Sequence, residues 1–388
     1  MSLHLSDDQL AYREAARSFA QGEMAPHAAR WDEEKIFPKE VIAAAGELGF
    51  CGMYVPEEQG GLGLSRLDTT IILEELAAGC TSTAAFISIH NMATWMLCSW
   101  GCDSLKKIWA EALISGKSLA SYCLTEPNAG SDAASLKSTA KKQGDKYIVN
   151  GGKMFISGAG ATDILIVMLR TGASDSGAKG ISAFAIPANL PGIEYGKNET
   201  KLGWNSQPTR AISFDNVEIP EECLLGEEGE GFKIAMKGID GGRINIAACS
   251  LGAAQACLDI TQEYIRTRQQ FGKAIAENQA LQFRLADMVT ELVAARQMVR
   301  MAAEAIDTNH AEKTVYCAMA KRFATDAGFD ICNQCLQMHG GYGYLREYPI
   351  ERYLRDVRVH QILEGTNEVM RVITGRRLLQ DNATQEIQ

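Results

Sequence analysis

The sequence has no GxxxxGK[ST] phosphate loop, no GxGxxG between a strand and a helix, and no GxSxG elbow. Phosphate-loop hydrolysis, Rossmann-type dinucleotide binding and elbow-serine chemistry are thereby excluded; HGGYGY and GEEGEG are glycine-rich but lack the spacing and context. The six histidines are dispersed, with no HxxxH or HExxH pair, so no metal site is expected. Basic residues number 38 against 48 acidic ones, a net charge of −10, which argues against a general nucleic-acid or acidic-membrane surface. An anionic ligand must then be met by local arginines and helix N-termini. No apolar run reads as long enough to cross a bilayer, and MATWMLCSWG (92–101) is short and broken, so no membrane insertion is expected. The opening MSLHLSDDQLAYREAARSF has early acids and no apolar core, and reads as a helix start rather than a retained secretory signal. Eleven cysteines, odd in number and scattered singly, fit a reducing compartment. That compartment is read as the cytoplasm, or the mitochondrial matrix if a transit peptide has been removed. The one CxxC, Cys332-Asn333-Gln334-Cys335, lies in a helical stretch and reads as core.

What is present is an ordinary globular composition, 46% hydrophobic and 22% charged, over 388 residues, enough for two or three domains. SDDQLAYREAARSFAQGEMA opens with a Ser6 cap candidate, and LDTTIILEELAAGC carries a helical apolar stripe. From about residue 120 the texture becomes short β-branched runs, YIVNGGKMFIS, TDILIVMLR, GISAFAIPA and RAISFDNVEIP, punctuated by Gly, Asn, Asp and Pro. Asn150-Gly151 sits where a type I′ hairpin turn would. After GEEGEGF (226–232) helical periodicity returns in long stripes of Ala, Met and Cys, the texture of a bundle core or subunit interface. The fold class is therefore mainly α with a central β module. The expected parts are an N-terminal helical domain (1–119), an antiparallel β-barrel or sandwich domain (120–228) and a C-terminal four-helix-bundle-like domain (229–388).

Two segments carry chemistry. In Tyr122-Cys123-Leu124-Thr125-Glu126-Pro127-Asn128-Ala129-Gly130-Ser131-Asp132 a strand enters a turn lined with hydroxyls and backbone donors, suited to a flat polar heterocycle or a pyrophosphate. Read alone, it is more simply a polar loop between strands. In Ile362-Leu363-Glu364-Gly365-Thr366-Asn367-Glu368 the glycine loosens the chain, and Thr366 or Asn367 can cap a helix running to about Leu379. A lone Glu in such a loop is ordinarily exposed.

YCLTEPNAGSD closely resembles the signature of the acyl-CoA dehydrogenase family. The resemblance continues through KMFISGAG, GWNSQPTR, GEEGEGF, DGGRINIAA, RQQFG, QMHGGYGY and ILEGTNEVMR, in the family's order across nearly the whole chain. It implies FAD as cofactor. The implied FAD contacts are Tyr122, Leu124, Thr125 and Ser131, then Phe155, Ile156 and Ser157, then Arg268, Asn278 and Gln279. Gln337, Met338, His339, Gly340 and Gly341 follow, partly serving a neighbouring subunit, and Thr366, Asn367 and Glu368 complete the set. Phe155 and Ser157 stand where many members have Trp and Thr, a mild departure that keeps the stacking and the hydroxyl.

The resemblance makes Glu364 the base that removes the α-proton of an acyl-CoA while the β-hydrogen leaves as hydride to the flavin. An apolar pocket would raise its carboxyl pKa, and its own backbone N–H with a ribityl hydroxyl would hold the thioester oxygen. Some relatives place the base just before the bundle arginine; here that position is Gly242, which leaves Glu364 unrivalled. Implied substrate contacts are Arg243 and Asp240, the small Gly241 and Gly242 leaving room for the acyl or pantetheine part, and more weakly Ser131 and Arg376. CTSTAAFISIHN, WNSQPTR and DGGRINIA resemble the branch that desaturates isobutyryl-CoA to methacrylyl-CoA in valine catabolism. A 2-methylbutyryl-CoA or straight short-chain preference stays open, as does a flavin oxidase or monooxygenase on the same scaffold. An electron-transfer flavoprotein as acceptor and a homotetrameric assembly are further implications.

Overall fold

Helical order begins at a reciprocal cap. The Ser6 hydroxyl accepts from the Gln9 backbone while the Gln9 side chain accepts from the Ser6 N–H, opening α1 (Asp7–Phe19). The computed structural model describes residues 5–380 and 383–387. A π-helical turn leads into α2 (Ala25–Glu34), followed by α3 (Lys39–Glu47), α4 (Arg66–Gly79), α5 (Thr81–Trp100) and α6 (Asp103–Ile114). A second reciprocal cap, Ser65 with Asp68, starts α4. Helix α5 is buried along almost its whole length, because it lies between the helical layers and the sheet.

The central unit comprises β1 (Ala120–Cys123), β2 (Thr139–Gln143), β3 (Lys146–Ser157), β4 (Ile164–Arg170), β5 (Ile181–Pro187), β6 (Ile193–Tyr195), β7 (Thr209–Pro220) and β8 (Leu224–Leu225). The strand order is β6-β7-β3-β2-β4-β5-β8, with β1 laid parallel along β4 so that Tyr122 stands opposite Ile166. The sheet is thus mainly antiparallel with parallel pairings at β4. Strand β4 is buried throughout and β5 nearly so, which explains why their sequences read as continuous apolar runs rather than alternating ones.

The expected hairpin turn at Asn150-Gly151 is corrected. Gln143 pairs with Lys146, so the β2–β3 turn is Gly144-Asp145, with Gly144 at φ +65°. Asn150 and Gly151 lie inside β3, at a register shift against β7. A Cβ at Gly151 would stand 2.4 Å from the Ser138 hydroxyl, so the glycine serves a close strand approach rather than a turn.

The C-terminal unit consists of α7 (Gly231–Thr267), α8 (Gln279–Asp307), α9 (Lys313–His339), α10 (Ile350–Val357) and α11 (Asn367–Leu378). Helix α7 is its axis, packing on α4, α5, α8 and α9. A Cβ at Gly252 would fall 2.0 Å from the Glu74 carbonyl, so the α4–α7 crossing requires a glycine there. By length and composition α7 could cross a membrane, a property the sequence reading missed, yet 83% of its most apolar window is buried in the bundle. Cys332 and Cys335 are wholly buried, as core residues.

A buried ion pair ties the β1 exit to β3. Lys153 donates to Glu126 at 2.7 Å and to the Leu124 carbonyl at 3.1 Å, while Glu126 also accepts from the Lys137 and Ser138 backbone. Burial alone would raise the Glu126 carboxyl, but Lys153 and these N–H donors hold it below its ordinary range. Its folded-state value being depressed, the pair's stabilisation is present above the ordinary carboxylate range and is lost as pH falls below it. Lys153→Met strands the Glu126 charge and should lower the unfolding free energy by about 3–5 kcal/mol. The double variant with Glu126→Gln should recover much of this; urea denaturation of both variants checks it.

Candidate active site

Helix α7 carries two adjacent glycines where two other segments press in. A Cβ on Gly242 would stand 2.8 Å from Glu364 Oε2, and one on Gly241 would stand 2.6 Å from Arg66 Nη1. The sequence reading left this glycine room for ligand. The structure instead fills it with the Glu364 carboxylate on one side and the Arg66 guanidinium on the other.

Glu364 lies in the turn between α10 and α11 with φ +55°, followed by Gly365 at φ +85°. A left-handed non-glycine residue costs about 1–2 kcal/mol, so the surrounding contacts must hold it. Arg243 Nε donates to the Glu364 carbonyl at 3.3 Å, and Lys321 Nζ donates to the Gly365 carbonyl at 2.8 Å. Thr366 then caps α11 by accepting from the Val369 N–H. Among the described residues nothing accepts from the Glu364 backbone N–H.

The carboxylate keeps partial access to space, yet protein surrounds it closely. That burial pushes its pKa up to about 7, while Arg243 and Lys321 pull the other way. Arg243 is itself buried and pairs with Asp240 at 2.8 Å, whose second oxygen accepts from Thr314. Both Asp240 and Arg243, expected on the substrate side, thus interlock with the base loop.

Around this point lie buried polar atoms with no partner: the hydroxyls of Tyr54 and Tyr122, Arg66 Nη1, and both amide atoms of Asn245, one turn beyond Gly242. The Arg66 guanidinium carbon lies over Tyr54, 3.5 Å from the ring centre, and 5.2 Å from that of Trp95. Burial raises the Tyr54 and Tyr122 hydroxyls, and the Glu364 charge adds to both, which puts the β1 strand within its field. Unsatisfied buried donors and acceptors are costly, so a polar ligand is the natural complement of this recess.

Phe155 stands at φ +61° and is 63% exposed, at a bulge between Lys153 and Ile156. Leu124 and Ile156 turn into apolar cores, leaving only their backbone for a ligand, while Thr125 and Ser157 are half-buried and Ser131 is exposed. The Ser157 carbonyl is occupied by the Ser121 hydroxyl.

A second cleft of about 410 Å³ is lined by Arg268, Gln337, Met338, His339, Gly340 and Gly341, among others. A Cβ on Gly340 or Gly341 would meet nothing within 4 Å. Arg268 lies 5.2 Å from the Tyr342 ring centre, and His339 stacks on Tyr264. This cleft is at the far end of α7: 26 residues separate Gly242 from Arg268, roughly 39 Å along the helix. One chain therefore does not bring the two groups together. Asn278 caps locally onto Ile275, and Gln279 and Arg376 are exposed.

The Asn367 side-chain amide, expected among the cofactor contacts, is buried and committed to Lys321, Thr325 and Asp326, so it supports the turn. Glu368 is exposed and paired with Arg371. Sequence reading missed Lys321, Arg66, Tyr54 and Asn245. The available signal was a lysine on the otherwise small apolar face of CAMAKRFAT.

The raised carboxyl has a thermodynamic consequence. Its folded-state pKa of about 7 lies above the ordinary 4.5, so stability is full below that ordinary value and declines as pH rises toward 7. Glu364→Gln removes the penalty of burying the charge. The variant should gain on the wild type by at most about 3 kcal/mol near pH 8 and by little near pH 5. Urea unfolding at both pH values measures this difference, which vanishes if the carboxylate stays hydrated.

Residues 6–117, 121–217 and 229–379 match the N-terminal, middle and C-terminal domains of acyl-CoA dehydrogenases, in that order. The chain is 52% identical over 380 residues to the mitochondrial isobutyryl-CoA dehydrogenase of Bos taurus, covering 98% of this chain and 91% of that protein. The protein of the same name from Dictyostelium discoideum is 50% identical, with the same coverage of 98% and 91%. The solved structure of butyryl-CoA dehydrogenase from Megasphaera elsdenii superposes with a TM-score of 0.94 at 39% identity, over 98% of this chain and 100% of that one. The family's three domains in order, and this identity across nearly the entire length, make the chain a member of the acyl-CoA dehydrogenase family.

Proposed function

We propose that the protein is an FAD-dependent dehydrogenase that desaturates a short branched acyl-CoA at its α,β bond, with isobutyryl-CoA preferred and Glu364 as base. The observation that carries this reading is the Glu364 carboxylate, poised against Gly242 with its pKa at about 7 in a recess of unpartnered polar atoms. Such a pKa lets one carboxyl take up and release a proton near neutral pH. The two relatives named isobutyryl-CoA dehydrogenases support the choice of substrate.

The residues present fit a flavin dinucleotide. The exposed Phe155 offers an aromatic face, Tyr122 a buried unpartnered hydroxyl, and Gly340-Gly341 with Arg268 an open cradle beside a cation. Tyr122, Leu124, Thr125, Phe155 and Ser157 would hold the ring system, leucine through its backbone. Arg268, Gln337, Gly340 and Gly341 of a second copy would hold the diphosphate end, which the roughly 39 Å separation along α7 requires and a homotetramer would satisfy. When bound, FAD supplies the acceptor for the β-hydrogen as hydride.

The chain's own residues do the rest. The Glu364 carboxylate removes the α-proton, which becomes easier as substrate displaces water and raises its basicity. The free Glu364 N–H donates to the thioester oxygen and stabilises charge developing there. Arg243, interlocked with Asp240, steadies the loop, and its charge together with that of Lys321 keeps the carboxylate from being protonated too readily. An electron-transfer flavoprotein is the proposed acceptor of the reducing equivalents.

Anaerobic bleaching of the bound flavin by isobutyryl-, 2-methylbutyryl-, butyryl- and isovaleryl-CoA tests the assignment. Isobutyryl-CoA should give the highest ratio of reduction rate to half-saturating concentration, although one methylene discriminates by only about 1–3 kcal/mol. Glu364→Gln should retain flavin and bind acyl-CoA while losing roughly 10²–10⁴-fold in reduction rate. Near-normal reduction by that variant overturns the mechanism, and rapid oxygen consumption by the wild type would mark an oxidase instead.

A further inference from the structure

Lys321 is a cation within the bundle, its side chain fully buried on α9. Two of its protons are spoken for: one goes to the Gly365 carbonyl at 2.8 Å and one to Asn367 Oδ1 at 2.8 Å. The Asn367 amide is anchored in turn by Thr325 at 3.0 Å and Asp326 at 2.7 Å. Arg243 of α7 takes the preceding carbonyl, that of Glu364. Two cations from two helices thus grip successive carbonyls of a left-handed turn that an isolated chain would not favour. With both carbonyls drawn inward, the Glu364 N–H is left facing away from any acceptor among the described residues.

Resting on the assignment of Glu364 as base, we propose that Lys321 is its positioning residue, holding the 364–367 turn so that amide and carboxylate both point into the recess beside Gly242. Lys321 makes no ion pair with the carboxylate, so it touches no reacting atom and acts through the backbone and through its field.

The charged and titratable groups around this turn come from four helices, strand β1, the segment before α4 and the segment preceding the turn. Asp240 and Arg243 face it from α7, Lys321, Arg322 and Asp326 from α9, and Glu368 with Arg371 from α11. Across the double glycine are Arg66 from α4, Tyr54 from the segment before it and Tyr122 of β1. His360 is buried with its ring nitrogen bonded to Ser250, and burial lowers its pKa to about 3, so it stays neutral throughout the working range. Burial pulls the Lys321 ammonium down to about 7, opposed by Glu364, Asp326 and Glu368. Removing this cation therefore leaves Glu364 facing Arg243 alone, and its carboxyl must rise.

The test uses the flavin-loaded enzyme under anaerobic conditions, with isobutyryl-CoA as the probe, comparing wild type, Lys321→Met and Lys321→Arg per bound flavin. Lys321→Met should lose roughly 10²-fold in the limiting reduction rate with little change in half-saturating substrate. The acid limb of its rate–pH profile should move upward by about one unit, because the carboxylate loses an attractive charge. Lys321→Arg keeps the charge but not the compact ammonium geometry, so its limiting rate should fall while its acid limb stays at the wild-type position. Should Lys321→Met fail to fold, the arginine variant decides alone. A wild-type limiting rate and an unmoved acid limb in the variants that fold, whatever their thermal stability, overturn the inference. Failure of every acyl-CoA to bleach the wild-type flavin would instead remove the underlying functional assignment.

Discussion

The contact between the 364–365 turn and helix α7 at Gly242 is the constraint from which the site follows. A carboxylate can lie this close to a helix only where the side chain is a hydrogen, and the turn adopts its left-handed backbone only while its carbonyls are held. Arg243 on α7 and Lys321 on α9 provide that hold, so the base is positioned by the same helix pairing that forms the bundle core. Packing and chemistry are here one problem, because any shift of α9 against α7 carries the base with it.

The electrostatics balance in a similar way. Burial favours the neutral carboxyl of Glu364, whereas the two cations favour its charged form, and the compromise lies near neutrality. Neither influence would suffice alone: a dry pocket without cations gives a protonated acid, and exposed cations without burial give an inert carboxylate. Arg66, set over the Tyr54 ring, extends the polar lining on the other side of the double glycine.

Much of this architecture was legible in the sequence because its signals are periodic and local. The switch from helical stripes to β-branched runs and back marked the helical, β, helical order, Ser6 declared its cap, and the apolar setting of Cys332 and Cys335 read correctly as core. The Asn150-Gly151 turn was misread because a glycine needed for close strand approach carries the same two-letter signature as a hairpin, and the true turn at Gly144-Asp145 is less conspicuous. Glu364 was found through the motif around it, since nothing in its own loop distinguishes it from a solvated acid. Lys321, Arg66 and the Lys153–Glu126 pair were not legible. Their partners lie far along the chain, and a buried lysine looks in sequence like any other helix-surface lysine.

Helix α7 carries Gly242 toward one end and Arg268 at the other, with unbroken backbone between them. Inserting a single residue in that interval would advance one end by about 1.5 Å and rotate it by about 100° relative to the other. The helix therefore acts as a ruler whose phase is locked. Length changes can accumulate in the surface loops, but between these two positions the residue count itself is a structural quantity, and indels there would uncouple two clefts that no side-chain substitution separates.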